Sequence, residues 1–256
     1  MHWTFARSAL VVAALLLVTA EAAPQVIPDA RREQRHAEQV IASLVVGDAV
    51  WLNTATGGRF LGLQVDVPRP KGAVVLTHGP GWHPDYGLTG ELRVALADRG
   101  YVTLSLQMPV LASDEEDGAK YVELFPQASE RIAAGVRLLQ DKGFARVAIV
   151  SHAMGSGMTY HWLKRSPQAP LFAWVALSFY GSFDDDMSKI AFPVLDMYGA
   201  NDYRGIRWPA RGRKRMLDRV NGSKQIEVSE GGWFLADGTA TVLREVAAFL
   251  DTNAPR

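Results

Sequence analysis

A chain of 256 residues with no formal net charge and 48% hydrophobic residues is long enough for one domain with a sizeable core. The same balance excludes a disordered chain and a global nucleic-acid footprint. No cysteine is present, which excludes disulfides, thiolate metal sites and a thiol nucleophile together.

The chain opens MHWTFARSALVVAALLLVTAEAAPQ. Arg7 supplies a positive start, residues 8–20 form an apolar run too short for a comfortable membrane span, and Ala20-Glu21-Ala22 fits the small-residue rule for cleavage. Residues 1–22 therefore read as a signal peptide, with an uncleaved anchor as the alternative. Cleavage predicts a periplasmic or secreted protein with no transmembrane segment after signal removal. Residues 23–47 form an N-terminal helical segment, in which Asp29 is placed to cap ARREQRHAEQVIASL.

Residues 48–256 read as one α/β domain. The apolar runs 49–52 and 60–65 flank the turn Thr56-Gly57-Gly58 and predict an antiparallel hairpin. Six further runs follow, at 73–78, 101–106, 146–151, 172–179, 193–199 and 224–228. They alternate with helical patterns near 88–99, 127–142, 156–165, 209–220 and 239–251. Runs that are apolar on both faces predict a mostly parallel, eight-stranded sheet inside a three-layer sandwich. The segment 107–126, with Asp114-Glu115-Glu116-Asp117, predicts a solvated flap, and 180–192 leaves no room for a large lid.

Ligands of such sheets bind beyond the carboxyl ends of the strands. Four segments fall there: His78-Gly79-Pro80-Gly81-Trp82, Ser151-His152-Ala153-Met154-Gly155, the run from Pro193 to Asp202, and Glu230-Gly231-Gly232-Trp233-Phe234. In type and order they resemble the α/β-hydrolase family over residues 48–251. That resemblance implies an oxyanion loop at Gly79 and Gly81, a nucleophile elbow at Ala153, an acid position at Asp202 and a histidine position at Trp233. Residues His83-Pro84-Asp85 and the stretch from Gly100 to Pro109 resemble more narrowly a secreted proteobacterial α/β-hydrolase-like group with a degenerate triad. The narrower likeness brings no substrate with it.

Alanine offers no hydroxyl, and an indole N–H donates a proton but cannot accept one. Standard triad chemistry is therefore excluded on this alignment. Ser151 and Ser156 read as structural hydroxyls. His78, His83, Asp85, His152 and Asp202 lack the spacing of a zinc site, so neither a metal nor a cofactor is expected. Candidate binding residues are His78, Gly79, Gly81, Trp82, His83, His152, Met154 and Trp233. Trp82, Tyr86, Trp208, Trp233 and Phe234 either line a ligand site or close a disused pocket.

The stretch RGIRWPARGRKRMLDR, residues 204–219, is strongly basic, with Pro209 expected to open its helix and Asp184-Asp185-Asp186 nearby. It reads either as an ion-pair network or as an anion-binding rim. Three functions stay open: a pseudo-hydrolase binding a small molecule or envelope protein, a non-standard hydrolase of ester, amide or peptide bonds with displaced residues, and a structural member of an envelope complex. Nucleic acid is not an expected partner.

Overall fold

The computed structural model describes residues 26–113 and 118–255; the expected signal peptide and the acidic stretch 114–117 lie outside the described residues. Helix α1 (Ala30–Ser43) starts as its sequence predicts, with the Asp29 carboxylate accepting from the backbone N–H of Arg31 and Arg32. Ala37 and Val40 press onto Leu61 and Leu63 of the sheet. Glu33 pairs with Arg131 at 2.9 Å in a nearly dry setting, so α1 is fastened by charge as well as by apolar contact.

The hairpin strands β1 (Asp48–Asn53) and β2 (Arg59–Val65) lead into β3 (Gly72–Thr77), β4 (Tyr101–Leu106), β5 (Val147–His152), β6 (Leu171–Leu177), β7 (Val194–Gly199) and β8 (Lys224–Val228). They form one eight-stranded sheet in the order β1-β2-β4-β3-β5-β6-β7-β8. The β1–β2 and β2–β4 pairs are antiparallel, and every pair from β4 to β8 is parallel.

Strands apolar on both faces need cover on both, and alternate residues supply two cores. Val74 and Leu76 face α2 (Gly87–Asp98) and α8 (Thr239–Asn253) through Leu92, Leu96, Val242 and Val246. Ala73 and Val75 face the other layer, α4 (Phe125–Asp141) and α5 (Met154–Arg165), through Ile132, Val136 and Met158.

The segment expected as an irregular flap contains a short helix, α3 (Gly118–Glu123). Its Tyr121 is buried, and the hydroxyl accepts from Leu111 N–H at 3.2 Å. Residues 180–192 hold one 3₁₀ turn, Asp185–Lys189, and no lid. The basic segment forms two pieces, α6 (Arg204–Arg207) and α7 (Ala210–Leu217), because Pro209 has no N–H with which to continue the ladder. Pro209 thus stands just ahead of α7 and not at its first position. Among the described residues, no helix is long and apolar enough to cross a membrane.

Candidate functional site

The turn between β5 and α5 is the tightest point of the sheet's carboxyl end. Ala153 occupies it alone, with φ 54° and ψ −122°, and is 1% exposed. This backbone costs a residue with a Cβ about 1–3 kcal/mol. The surroundings hold it: Ala153 N–H donates to Leu177 O at 2.9 Å, and Ala153 O accepts from Ser156 N–H at 3.0 Å. Gly155 is required by contact, since a Cβ there would lie 2.7 Å from His78 O and 2.8 Å from Thr77 O. Gly157 faces the rings of Phe125 and Phe179 and not the sheet.

Both neighbouring serines are fully buried and committed. Ser151 Oγ donates to Thr159 Oγ1 at 2.8 Å and accepts from Trp174 Nε1 at 3.0 Å. Ser156 Oγ reaches the carbonyls of Ser151 and Leu177 at 3.0 and 3.2 Å.

The loop after β3 is built on a buried histidine. Met108 N–H donates to His78 Nε2 at 2.9 Å, so the ring proton sits on Nδ1 and goes to Gly79 O at 2.8 Å. Burial keeps this imidazole neutral, with its pKa lowered to about 3. Trp82 folds back over the loop, and a Cβ on Gly79 would meet its ring at 2.6 Å. Gly81 takes φ 71°, which glycine adopts without strain. His83 Nδ1 accepts from Asp85 N–H at 3.3 Å, and Asp85 receives Arg93 at 2.6 and 3.0 Å. These two residues shape the loop and its anchor to α2. Among the described residues, no group of three histidines or carboxylates is placed to hold a metal.

The carboxylate of Asp202 is buried and saturated. Ser178 Oγ donates to one oxygen at 2.6 Å, while Tyr203 N–H and Phe234 N–H donate to the other at 3.0 and 2.9 Å. Phe234 O in turn accepts from His152 Nε2 at 2.8 Å. A carbonyl only accepts, so His152 carries its proton on Nε2, and its Nδ1 is buried without a partner. Burial lowers this pKa to about 4.

Trp233, expected in the histidine's place, is 63% exposed and stacks on Tyr203 at 4.6 Å. The ring turned towards the elbow belongs to Phe234, which meets Trp82 edge-on at 5.7 Å and lies 6.4 Å from His152. Phe234 and Leu235 both take positive φ, and this reverses the direction of successive side chains.

Solved structures with the same architecture include a dienelactone hydrolase from Anabaena variabilis, with TM-score 0.66 and 14% identity over 81% of this chain and 98% of that one. Est1E from Butyrivibrio proteoclasticus matches at TM-score 0.64 and 13% identity, over 80% of this chain and 98% of that one. A dienelactone hydrolase-like promiscuous phosphotriesterase, P91 from metagenomic libraries, matches at 0.62 and 15%, over 81% and 99%. The fold is that of the α/β-hydrolases. At these identities the likeness carries the fold alone. No family model matches the sequence, and no curated protein matches it.

Beside the elbow of this α/β-hydrolase fold lies a cleft of about 480 Å³ that sequence reasoning missed. Met154 opens it, and Val122, Phe125, Gly157, Tyr160 and Phe179 supply mostly apolar walls. The signal was present in Val122 and Phe125, three apart in the segment read as a flap. His161 at the edge is held by Ser129 Oγ at 3.0 Å, and Lys164 by Asp184 at 3.2 Å.

The basic segment divides. Arg213 is not on the rim but fully buried, paired with Asp196 at 2.7 Å and donating to the carbonyls of Gly181 and Ile206. Of the acidic loop, Asp184 serves Tyr160 and Lys164, and Asp186 serves Lys189. Asp185 meets Arg219 at 3.3 Å.

Proposed function

We propose that this chain is an exported α/β-hydrolase-fold protein that binds a ligand without triad chemistry, a pseudo-hydrolase of the secreted group its sequence resembles. The observation that carries this reading is Ala153 sealed at the apex of the elbow, above two serines whose hydroxyls are already spent. A nucleophile needs a hydroxyl, a base and an orienting acid. Here Asp202 is occupied by Ser178 and by loop backbone, and both nitrogens of His78 are engaged. The apolar cleft beside Met154 suits a small, mostly apolar molecule.

The test is chemical. The chain from residue 23 onward is expected to leave ester substrates untouched and to resist a fluorophosphonate probe. Covalent labelling at Ser151 or Ser156 would overturn the reading. Anilinonaphthalene sulfonate, used as an apolar probe, is expected to bind in the cleft and to be weakened by Val122→Asp, an exposed position.

One observation favours a second reading, a hydrolase of ester, amide or peptide bonds with displaced residues. His152 Nδ1 has a free lone pair beside the elbow. That version requires turnover that disappears on His152→Ala.

A further inference from the structure

We propose that the arginine stripe along α6 and α7, with the exposed aromatic rings around it, docks this protein on an anionic lipid bilayer. This surface is independent of what the elbow does. Trp208 and Pro209 join the two helices and both keep right-handed helical backbone. Trp208 N–H donates to Arg204 O at 2.8 Å, and Arg213 N–H to Pro209 O at 3.0 Å, so residues 204–217 wind nearly as one helix. At about 100° per residue, Arg204, Arg207, Trp208, Arg211 and Arg215 fall within an arc of about 100°. The opposite arc carries Ile206, Ala210, Arg213 and Leu217, all of them buried.

All four arginines of the stripe are exposed, and none has a carboxylate partner among the described residues. Their neighbours Lys214 and Arg219 do pair, with Asp218 and Asp185. Glu227 shares a cleft with Arg204 and Arg207 and accepts from the Tyr198 hydroxyl at 2.8 Å, but it forms no ion pair with either arginine. Four like charges along three turns of helix repel one another, and none of them is paired among the described residues.

The second observation is aromatic. Trp208 is 76% exposed, with the Arg204 guanidinium 5.0 Å above its ring. Tyr203 precedes the stripe and stacks with exposed Trp233. Tyr180, 60% exposed, lies against Gly205, where a Cβ would come 2.3 Å from its ring. Arginines and exposed aromatic rings thus border one another on this surface. A headgroup layer uses both, since tryptophan and tyrosine settle at the boundary of water and acyl chains while arginine meets phosphate. Tyr203 lies 4.9 Å from Phe234, so docking would bring the elbow loop close to the membrane surface.

The test uses the chain from residue 23, because the sheet, its helices and the site are all built from residues 26–255 and the apolar run 8–20 would itself enter lipid. Sedimentation is measured with vesicles of phosphatidylcholine alone and with phosphatidylglycerol mixed in. Binding is expected only to the anionic vesicles, and to weaken with added salt. Each of Arg207→Gln and Arg211→Gln is expected to lower partitioning about fivefold. Arg99→Gln, at the end of α2 across the sheet, removes the same charge and is expected to change little. Trp208→Ser keeps every charge and is expected to lower binding as well. Equal binding to both vesicle types, or to neither, overturns the proposal. So does an Arg99→Gln effect as large as that of Arg211→Gln, or binding to polyglutamate without binding to vesicles.

Discussion

The backbone N–H of Phe234 donates to Oδ1 of Asp202 at 2.9 Å, so this carboxylate holds loop backbone where a triad acid would hold an imidazole. Asp202 therefore carries structural weight of its own. Asp202→Ala would leave the N–H groups of Tyr203 and Phe234 and the Ser178 hydroxyl without an acceptor in a buried place. The expected cost is about 3 kcal/mol, read as a lower urea midpoint at unchanged slope. A loss below about 0.5 kcal/mol would mean that the loop is held by something else.

The orientation of Phe234 changes which reversion is informative. Restoring a hydroxyl with Ala153→Ser supplies a nucleophile without a base. Adding Trp233→His places the imidazole beside Tyr203, facing solvent, and is expected to give no esterase activity. Adding Phe234→His places it on the elbow side, against His152 and Trp82, and is expected to raise ester turnover above the serine variant alone. Activity only with histidine at 233 would show that the loop rearranges.

These two positions also mark where the sequence stops being legible. Strands β3 to β7 could be read to within a residue or two because apolar runs on both faces have one stable use, a covered parallel sheet. Gly155 could be read as a small residue because strand and helix converge on the elbow, and the 2.7 Å approach of His78 O to a Cβ there makes it a glycine. The loop at 231–235 has no period, and two consecutive positive φ values exchange inside and outside there. Arg213 looks like six other cations in its segment. Yet it completes the spacing of Ile206, Ala210 and Leu217 on one helical face, a signal that the charge count obscured.

The strain at Ala153 can be weighed directly. Ala153→Gly deletes a buried methyl worth about 0.8 kcal/mol and loosens the unfolded chain, but it relieves a backbone strain of about 1–3 kcal/mol. The net change is expected within about 1 kcal/mol of zero. Ala176→Gly, equally buried in β6 at ordinary strand geometry, has no strain to relieve and is expected to cost about 1.5 kcal/mol. Equal losses at the two sites would argue against strain at the elbow.

Arg213 and Arg211 are two residues apart and predict opposite outcomes. Arg213→Met strands the buried Asp196 carboxylate with Gln225 as its remaining side-chain donor, at an expected cost of about 3–5 kcal/mol. Arg211→Gln, exposed, is expected within about 0.5 kcal/mol of the parent. The double change Arg213→Met with Asp196→Leu is expected to recover most of the loss, because the desolvated charge then disappears with its partner. Urea unfolding of the three variants separates these cases.

Acid should weaken the fold through His78 and His152. Both are buried and neutral, with pKa values lowered to about 3 and about 4 chiefly by burial. Their unfolded value is about 6.5, so as pH falls the unfolded chain takes up protons first. The stability they contribute is complete above about pH 6.5 and is lost as pH falls towards the folded values. The loss runs at up to about 1.4 kcal/mol per pH unit for each ring. His152→Gln keeps a donor for Phe234 O and removes one titrating group. Between about pH 6 and pH 4 its urea midpoint is therefore expected to fall less steeply than the parent's. Parallel profiles would mean that His152 is not held neutral in the fold.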